Sequence, residues 1–213
     1  MAQARRNYDS PLRREQAQAT RRAILAAAQR LFERDGYAAT TMAAIATDAG
    51  VSPKTVYLAF DGKSGVLRAV WNLLLRGDAD DRPVAERGWY HEVLDEPDPI
   101  RQLELNARNA RRVKERAGAL LGVIRSAAEV DADAAQLWDR IGTEFHANQR
   151  AIVASLDAKG ALRDDLDVDR ATDVLWTLNH PDVWLLLAGR GWTPEEFERW
   201  FAAATRRELL RPG

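Results

Sequence analysis

Cysteine is absent from the 213 residues, and histidine is scarce. The missing cysteine excludes disulfides, thiolate metal sites and cysteine nucleophiles. The three histidines, His91, His146 and His180, are far apart in sequence, and no glutamate lies three residues before any of them. A glycine-rich phosphate loop and a nucleophile motif are also missing. We therefore expect no enzymatic activity, no metal site and no cofactor.

Long apolar runs are missing too. The longest, such as 183–188, are far too short to span a bilayer, and no apolar segment follows the arginines near the N-terminus. The sequence therefore predicts a cytoplasmic protein with no membrane contact.

Charge is unevenly distributed, although the formal net charge is only −1. Residues 1–76 hold 12 Lys and Arg against 6 Asp and Glu, whereas the remainder holds 19 against 26. A basic N-terminal part followed by an acidic remainder favours a polyanionic partner for the N-terminal part. A chance excess of surface arginine is the alternative.

Helical periodicity runs along the whole chain, and no segment is convincing as a strand. In the first segment, apolar residues recur at three- and four-residue steps until Gly36, which is predicted to end the helix. The predicted fold class is all-α, with an N-terminal three-helix domain and a C-terminal helical domain. The predicted divisions are 1–15 for a flexible basic arm, 16–62 for the first domain and 63–213 for the second, with 63–76 as a linking helix.

The stretch IATDAGVSPKTVYLAF, residues 45–60, predicts two short helices joined by a tight corner. Ala46 is small where the second helix crosses the first, Gly50 accepts positive φ at the corner, and Val56 faces inward to fix the angle. This spacing is typical of a helix-turn-helix. A structural corner in some other class of protein is the alternative.

The second helix of this corner is short, capped and basic. Ser52 is predicted to cap it, and Pro53 stands at its first position, where the missing N–H costs nothing. Such a helix suits insertion of its N-terminal end into a DNA major groove. There Lys54 is expected to donate to guanine and the Thr55 methyl group to touch thymine. Tyr57 is also predicted to face outward.

A longer stretch, LFERDGYAATTMAAIATDAGVSPKTVYLAFDGKSGVL, resembles the TetR family of bacterial transcriptional regulators over about residues 20–75. The resemblance is carried by the aromatic residue and glycine before the threonines, by IA..AGVS..TVY..F, and by the lysine after Phe60. It implies a homodimer of all-α subunits, each with a DNA-binding domain and an effector-binding and dimerisation domain. It also implies phosphate contacts from Thr41, Tyr57 and Lys63. The expected DNA-contacting residues are Thr41, Ser52, Pro53, Lys54, Thr55, Tyr57 and Lys63.

The predicted helices of the C-terminal body are 99–115, 117–130, 133–159, 169–189 and 194–210. The run 133–159 carries an apolar stripe, and 169–189 is apolar on more than one side. We expect these two helices to pair between subunits as a four-helix interface with two-fold symmetry. Pro181 is predicted either to kink the second of them or to split it in two.

All seven tryptophans lie at or after Trp71, which favours an aromatic cavity between helices of the C-terminal domain. The expected effector is an unidentified small molecule that is largely hydrophobic or aromatic. For each polar candidate, a surface or satisfied core role is the alternative. The candidate ligand-binding residues are Asn106, Arg125, Trp138, Phe145, His146 and Trp176.

The function expected from these features is that of a ligand-released repressor, bound as a homodimer to a palindromic DNA operator. Pairing is required because one short helix reads too few bases to select a genomic site. A transcriptional activator of the same fold and an effector-independent DNA-binding protein are the alternatives.

Overall fold

The computed structural model describes residues 11–76 and 84–212, and it confirms the all-α prediction. Extended pairing in those ranges is limited to one isolated bridge between Leu162 and Leu210. Within the same ranges, no helix combines the length and apolarity needed to cross a membrane. The helices are α1 Pro11–Ala39, α2 Met42–Asp48, α3 Pro53–Ala59, α4 Gly62–Arg76, a short 3₁₀ helix Val84–Glu86, α5 Gly88–Asp95, α6 Pro99–Ala128, α7 Ala132–Ala158, α8 Val168–Leu178, α9 Pro181–Ala188 and α10 Pro194–Leu209.

The chain forms two compact units, which divide between Val70 and Trp71. The division therefore falls inside α4 rather than at residue 62, where the sequence had placed it. Residues 11–15, which were included in the predicted flexible arm, are helical, because α1 begins at Pro11. Proline suits the first turn of a helix, where its missing N–H would have no partner. The rest of that predicted arm, residues 1–10, lies outside the described residues.

The first unit packs α1, α2, α3 and the beginning of α4 around a small apolar core. Ile24, Phe32, Ile45 and Leu67 are fully buried in it. Gly36 adopts the predicted positive φ, 79°, but it interrupts α1 rather than ending it, since a further turn continues to Ala39.

The corner between α2 and α3 has the geometry that the sequence predicts. Ala46 and Val56 are fully buried, and Gly50 has a φ of 68°. The N–H of Val51 donates to the Ala46 carbonyl oxygen at 3.0 Å, which closes the turn. The helix-turn-helix is therefore held by one glycine in the left-handed region and two apolar contacts.

The second unit is built on α6 and α7, which pack against each other, with α10 on α6 and α8 on α7. Its core includes Leu103, Ile152, Leu175, Phe197 and Phe201. All of these side chains are inaccessible or nearly so. A sizeable apolar core therefore holds the helices that surround the cavity described below.

Helix α6 is continuous, and the predicted break between 99–115 and 117–130 is wrong. Gly118 lies inside this helix, and the space beside it is occupied by the side chain of Trp184. A Cβ at this position would lie 2.9 Å from Nε1 of Trp184. The glycine therefore allows α9 to approach α6 closely.

The predicted helix 169–189 is two helices, so the splitting alternative for Pro181 is the observed one. Helix α8 ends at Leu178, and α9 begins at Pro181. The imidazole Nδ1 of His180 accepts from the N–H of Asp182 at 3.2 Å and caps α9. Proline terminates α8 because it lacks an N–H for the helical ladder and crowds the preceding turn.

Candidate functional sites

The N-terminal end of α3 is exposed and held by its own hydroxyl groups. Ser52 Oγ accepts from the Thr55 N–H at 3.2 Å and lies 2.8 Å from Thr55 Oγ1. Pro53 occupies the first helical position. Lys54 is exposed, Thr55 is half-buried, and Tyr57 keeps 60% of its surface accessible. The helix therefore presents one ammonium group and one phenol to solvent on a rigid, capped end.

Thr41 and Lys63 lie at the starts of the neighbouring helices. Thr41 Oγ1 accepts from the N–H of Ala44 at 3.1 Å and so caps α2. Lys63 Nζ donates to the Tyr37 carbonyl oxygen at 2.8 Å and lies 4.1 Å from the centre of the Tyr37 ring. An ammonium group has three donors, so this anchored lysine retains donors for a second acceptor.

A cavity of about 850 Å³ lies in the second unit. Residues of α4 to α8 and the first residue of α9 line it, and its size is in the range of sites for drug-sized ligands. Aromatic rings form much of its wall, so planar apolar molecules fit its surface chemistry. The large aromatic residues lining it are Trp71, Trp89, Tyr90, Trp138, Phe145 and Trp176.

A chain of buried polar side chains interrupts this aromatic wall. Lys114 Nζ donates to Asn179 Oδ1, and Asn179 Nδ2 donates to Gln149 Oε1 at 3.2 Å. All three residues are buried and all three line the cavity. Burial lowers the pKa of Lys114 to about 7, because the charged ammonium form loses its hydration. The cavity therefore contains one desolvated amine held by an amide.

Other polar groups of the cavity wall differ in whether they have partners. Asn109 Nδ2 donates to the Trp89 carbonyl oxygen at 3.1 Å, and the Tyr90 hydroxyl donates to the Asn148 carbonyl oxygen at 2.7 Å. Burial raises the pKa of Tyr90 to about 12. By contrast, Nδ2 of the buried Asn106 has no hydrogen-bond partner among the described residues.

His180 lies between the cavity and the cap of α9. Its pKa is lowered, chiefly by burial, with the charges of Lys114 and Arg125 acting in the same direction and Asp182 opposing them. Because Nδ1 accepts the cap hydrogen bond, the neutral ring carries its proton on Nε2. The ring stands edge-on to Trp176, with 4.8 Å between the centres.

Comparison with known proteins agrees with this architecture. Residues 24–70, which contain α2, α3 and the corner, match the family model of bacterial regulatory proteins of the tetR family. Over 192 residues the chain is 27% identical to the "Probable HTH-type transcriptional regulator ArpR" of Pseudomonas putida, covering 88% of this chain and 90% of that protein. Residues 24–70 are therefore similar to bacterial regulators of the TetR family.

Solved structures share the fold over nearly the whole of this chain. NalD, the secondary repressor of the MexAB-OprM multidrug efflux pump in Pseudomonas aeruginosa, superposes with a TM-score of 0.73 at 22% identity, covering 92% of this chain and all of NalD. A protein from Saccharomonospora viridis, solved in complex with choline, gives a TM-score of 0.69 at 17% identity, covering 90% and 98%.

The matched family and the curated relative are transcriptional regulators and not enzymes, in agreement with the prediction that this chain has no enzymatic activity. In the described ranges of the chain, no group of three or more His, Asp or Glu side chains is placed to hold a metal ion.

Five of the six predicted ligand-binding residues line the cavity: Asn106, Trp138, Phe145, His146 and Trp176. The fold brings them together from α6, α7 and α8. Arg125 is not among the lining residues, and its guanidinium pairs with Asp182 at 2.6 Å on the exposed surface. A ligand contact stays a prediction for the five, and the placement of Arg125 removes the reason for including it.

Sequence reasoning missed Lys114 and Gln149 in the cavity and Leu58 on α3. Lys114 stands eight residues after Asn106, a spacing that returns to the same helix face and so carried a usable signal. Leu58 is 79% exposed and stands four residues after Lys54, on the side of α3 away from the core. A large apolar side chain that remains exposed next to Tyr57 is a second candidate for contact with DNA bases.

Proposed function

We propose that this protein is a TetR-family repressor that binds a palindromic or pseudo-palindromic DNA operator as a homodimer and is released by a small-molecule effector. The observation that carries the proposal is the exposed N-terminal end of α3, with Lys54 free of the core while Val56 is buried beneath it. A rigid end of this kind suits base reading in the major groove.

Lys54 is the base-reading residue in this proposal, and Tyr57 and Lys63 are phosphate contacts. Lys54 donates to guanine O6 or N7, and the exposed Leu58 adds apolar contact with a thymine methyl group. Ser52 and Thr55 hold the cap through their mutual hydrogen bond, so they position Lys54 as well as facing the groove. Contacts to phosphate orient the domain without selecting a sequence.

Phosphate positioning also follows from the geometry of Thr41 and Lys63. Thr41 stands at the N-terminus of α2, where unpaired N–H groups and the helix dipole favour an anion. The Tyr37 carbonyl and ring hold Lys63 in place, so less side-chain entropy is lost when its ammonium meets a phosphate. Pro53 stiffens the first turn of α3.

The homodimer is required by the energetics of recognition. Each good base contact discriminates by only about 1–3 kcal/mol, and one copy of α3 offers few such contacts. Two copies read two half-sites, about 34–36 Å apart in helix-turn-helix dimers. We place the pairing surface on α7, α8 and α9, where Leu186 is 70% exposed and Val183 and Leu187 are only partly covered.

Effector release rests on the cavity and on the continuity of α4. That helix carries Lys63 in the first unit and the cavity residues Trp71 and Leu75 in the second. A ligand shifts a conformational equilibrium only by the difference in its affinity for the two states. The NalD repressor and the choline complex of a structural neighbour support an effector-responsive repressor over an effector-independent DNA-binding protein.

Selection of bound duplexes from random DNA, followed by fluorescence anisotropy on the selected duplex, tests the DNA-binding part. We expect Lys54→Ala to relax discrimination at particular base pairs by about 1–3 kcal/mol. We expect Lys63→Ala to weaken all sequences alike and to flatten the slope of log affinity against log salt by about 1 per subunit.

Arg190→Ala is the control, since this exposed arginine lies in the second unit and should leave both quantities unchanged. Failure of any duplex to be enriched would overturn the proposal for DNA. If both lysine variants lost base discrimination and overall affinity to the same extent, the assignment of Lys54 to bases and Lys63 to phosphates would be wrong. Transcription that increases when the protein is added to a template carrying the operator would make it an activator.

A further inference from the structure

Within the described part of the chain, the buried amine of Lys114 in the cavity has no counter-ion. Lys114 is only 6% exposed, and its hydrogen bond goes to the neutral Asn179 amide. The ion pairs of the described residues include none that involves Lys114. Buried lysines are usually paired with an acid, because a desolvated charge is costly. An anionic group in the cavity would supply the missing partner.

The side chains linked to the Lys114 amine by hydrogen bonds are neutral amides. Asn179 Oδ1 accepts from Lys114, and Asn179 Nδ2 donates to Gln149, so these two hydrogen bonds fix the orientation of the amide. His180 also lines the cavity; burial lowers its pKa, and its Nδ1 accepts the hydrogen bond that caps α9. The surroundings of Lys114 therefore favour a ligand that brings acceptor oxygens.

A second donor stands at a distance along the same helix. Nδ2 of Asn106 is buried and has no partner among the described residues, and Asn106 lines the cavity. Eight residues separate it from Lys114, which corresponds to about 12 Å along α6. An unsatisfied buried donor destabilises the empty protein, so an acceptor on a ligand would be favourable there.

The aromatic wall defines what lies between these two polar points. The tryptophans lining the cavity, together with Tyr90 and Phe145, offer faces and edges to planar rings. A molecule of about two rings matches the separation of Asn106 and Lys114.

The cavity wall also contains acidic side chains, which would favour a cationic ligand. Asp139 and Glu144 of α7 also line it, and aromatic residues with carboxylates can bind a cation. Both carboxylates are exposed and remain hydrated, whereas Lys114 is buried. Charge interactions are stronger where water is excluded, so the buried amine dominates the choice of ligand charge.

We infer that the effector of this cavity is a weakly acidic aromatic molecule of about two rings, whose carboxylate or phenolate oxygen pairs with Lys114 Nζ and whose other end accepts a hydrogen bond from Asn106 Nδ2. The inference rests on the proposed effector function of the cavity. It adds the chemical class of the ligand and the two residues that select it.

Three probes that share a biphenyl core test the charge preference: biphenyl-4-carboxylate, biphenyl-4-methanol and biphenyl-4-trimethylammonium. Isothermal titration calorimetry on the full chain measures each affinity. We expect the carboxylate to bind the unaltered protein roughly tenfold or more tightly than the alcohol, and the ammonium probe to bind least. Equal affinities, a preference for the ammonium probe or no binding of the carboxylate would overturn the inference.

Variants on α6 assign the preference to Lys114. Lys114→Met should abolish the advantage of the carboxylate over the alcohol, while Lys114→Arg should retain much of it. Arg125→Met is the matched control, because it removes a cation from the same helix outside the cavity. It should leave the ratio unchanged. A carboxylate advantage that survives Lys114→Met, or is lost in Arg125→Met, would contradict the assignment to Lys114.

Anisotropy with the selected operator separates this inference from the proposed function. If the ammonium or alcohol probe binds best and releases DNA, the ligand class is wrong and the effector-released repressor stands. If the carboxylate binds in a Lys114-dependent way without changing DNA affinity, the ligand class is right and release by this cavity is wrong.

Discussion

Helix α3 and the cavity are built over very different distances in sequence. The geometry of α3 depends on neighbours within about fifteen residues: Gly50 turns the chain, Ser52 caps the helix, and Val56 anchors it. The cavity collects residues from Trp71 to Pro181. The contrast explains why a local motif predicts the first site in detail, whereas only the aromatic character of the second is visible in the sequence.

The two sites also treat polar groups differently. On α3 the amine of Lys54 is in solvent, where its charge costs nothing before DNA arrives. In the cavity the amine of Lys114 is buried, and Asn106 Nδ2 has no partner in the ranges 11–76 and 84–212. The exposed amine on α3 can therefore contact a hydrated polyanion directly. The buried polar groups of the cavity destabilise the folded protein as long as no ligand supplies their missing partners.

The largest effect is expected where the core beneath α3 is opened. Ile45→Ala removes a fully buried side chain and should lower the free energy of unfolding by about 2–5 kcal/mol. Hydrogen exchange should report the loss within residues 24–70, since Ile45 packs in the first unit. Denaturant titration measures the total.

Leu58→Ala is the matched control for this prediction, because it truncates an aliphatic side chain of the same size on the adjacent, exposed surface. It should change stability by less than about 0.5 kcal/mol and affect DNA binding instead. Similar losses of stability in the two variants would show that Leu58 is covered.

Particular residues show what the sequence can and cannot predict. Ser52, Pro53 and Gly50 act through their own backbone neighbours, so capping and φ preferences are sufficient to place them. Lys114 stands on a helix where a lysine is ordinarily exposed, and its burial depends on Asn179, 65 residues later. The close approach of Trp184 to Gly118 joins residues 66 positions apart, so no local pattern reveals it.

The pH dependence of stability sharpens the contrast between the two amines. The pKa of Lys114 is about 7 in the folded protein and about 10.5 when the chain is unfolded. Between these values the unfolded state binds more protons, so the free energy of unfolding rises with pH, by up to about 1.4 kcal/mol per pH unit. Below about pH 7 both states are protonated, and the destabilisation is constant and complete.

Lys114→Met should remove this slope and increase stability at neutral pH, because the cost of burying a charged amine beside a neutral amide is gone. Urea titrations of both proteins from pH 7 to 9 measure the difference. Lys54→Met is the control, since an exposed lysine should leave the slope as it is. Parallel curves for the unaltered protein and Lys114→Met would mean that this amine stays hydrated in the fold.

The smallest expected effect compares two glycines one turn apart on α6. Gly118→Ala places a methyl group 2.9 Å from Trp184 Nε1, so the indole must move and stability should fall by about 1 kcal/mol or more. Gly122 has nothing within 4 Å of the added carbon, and Gly122→Ala should instead stabilise the helix by about 0.5–1 kcal/mol. Thermal unfolding of the two variants gives the sign. Opposite signs would show that the wall behind the cavity is held by close packing between α6 and α9, and equal stabilisation would contradict it.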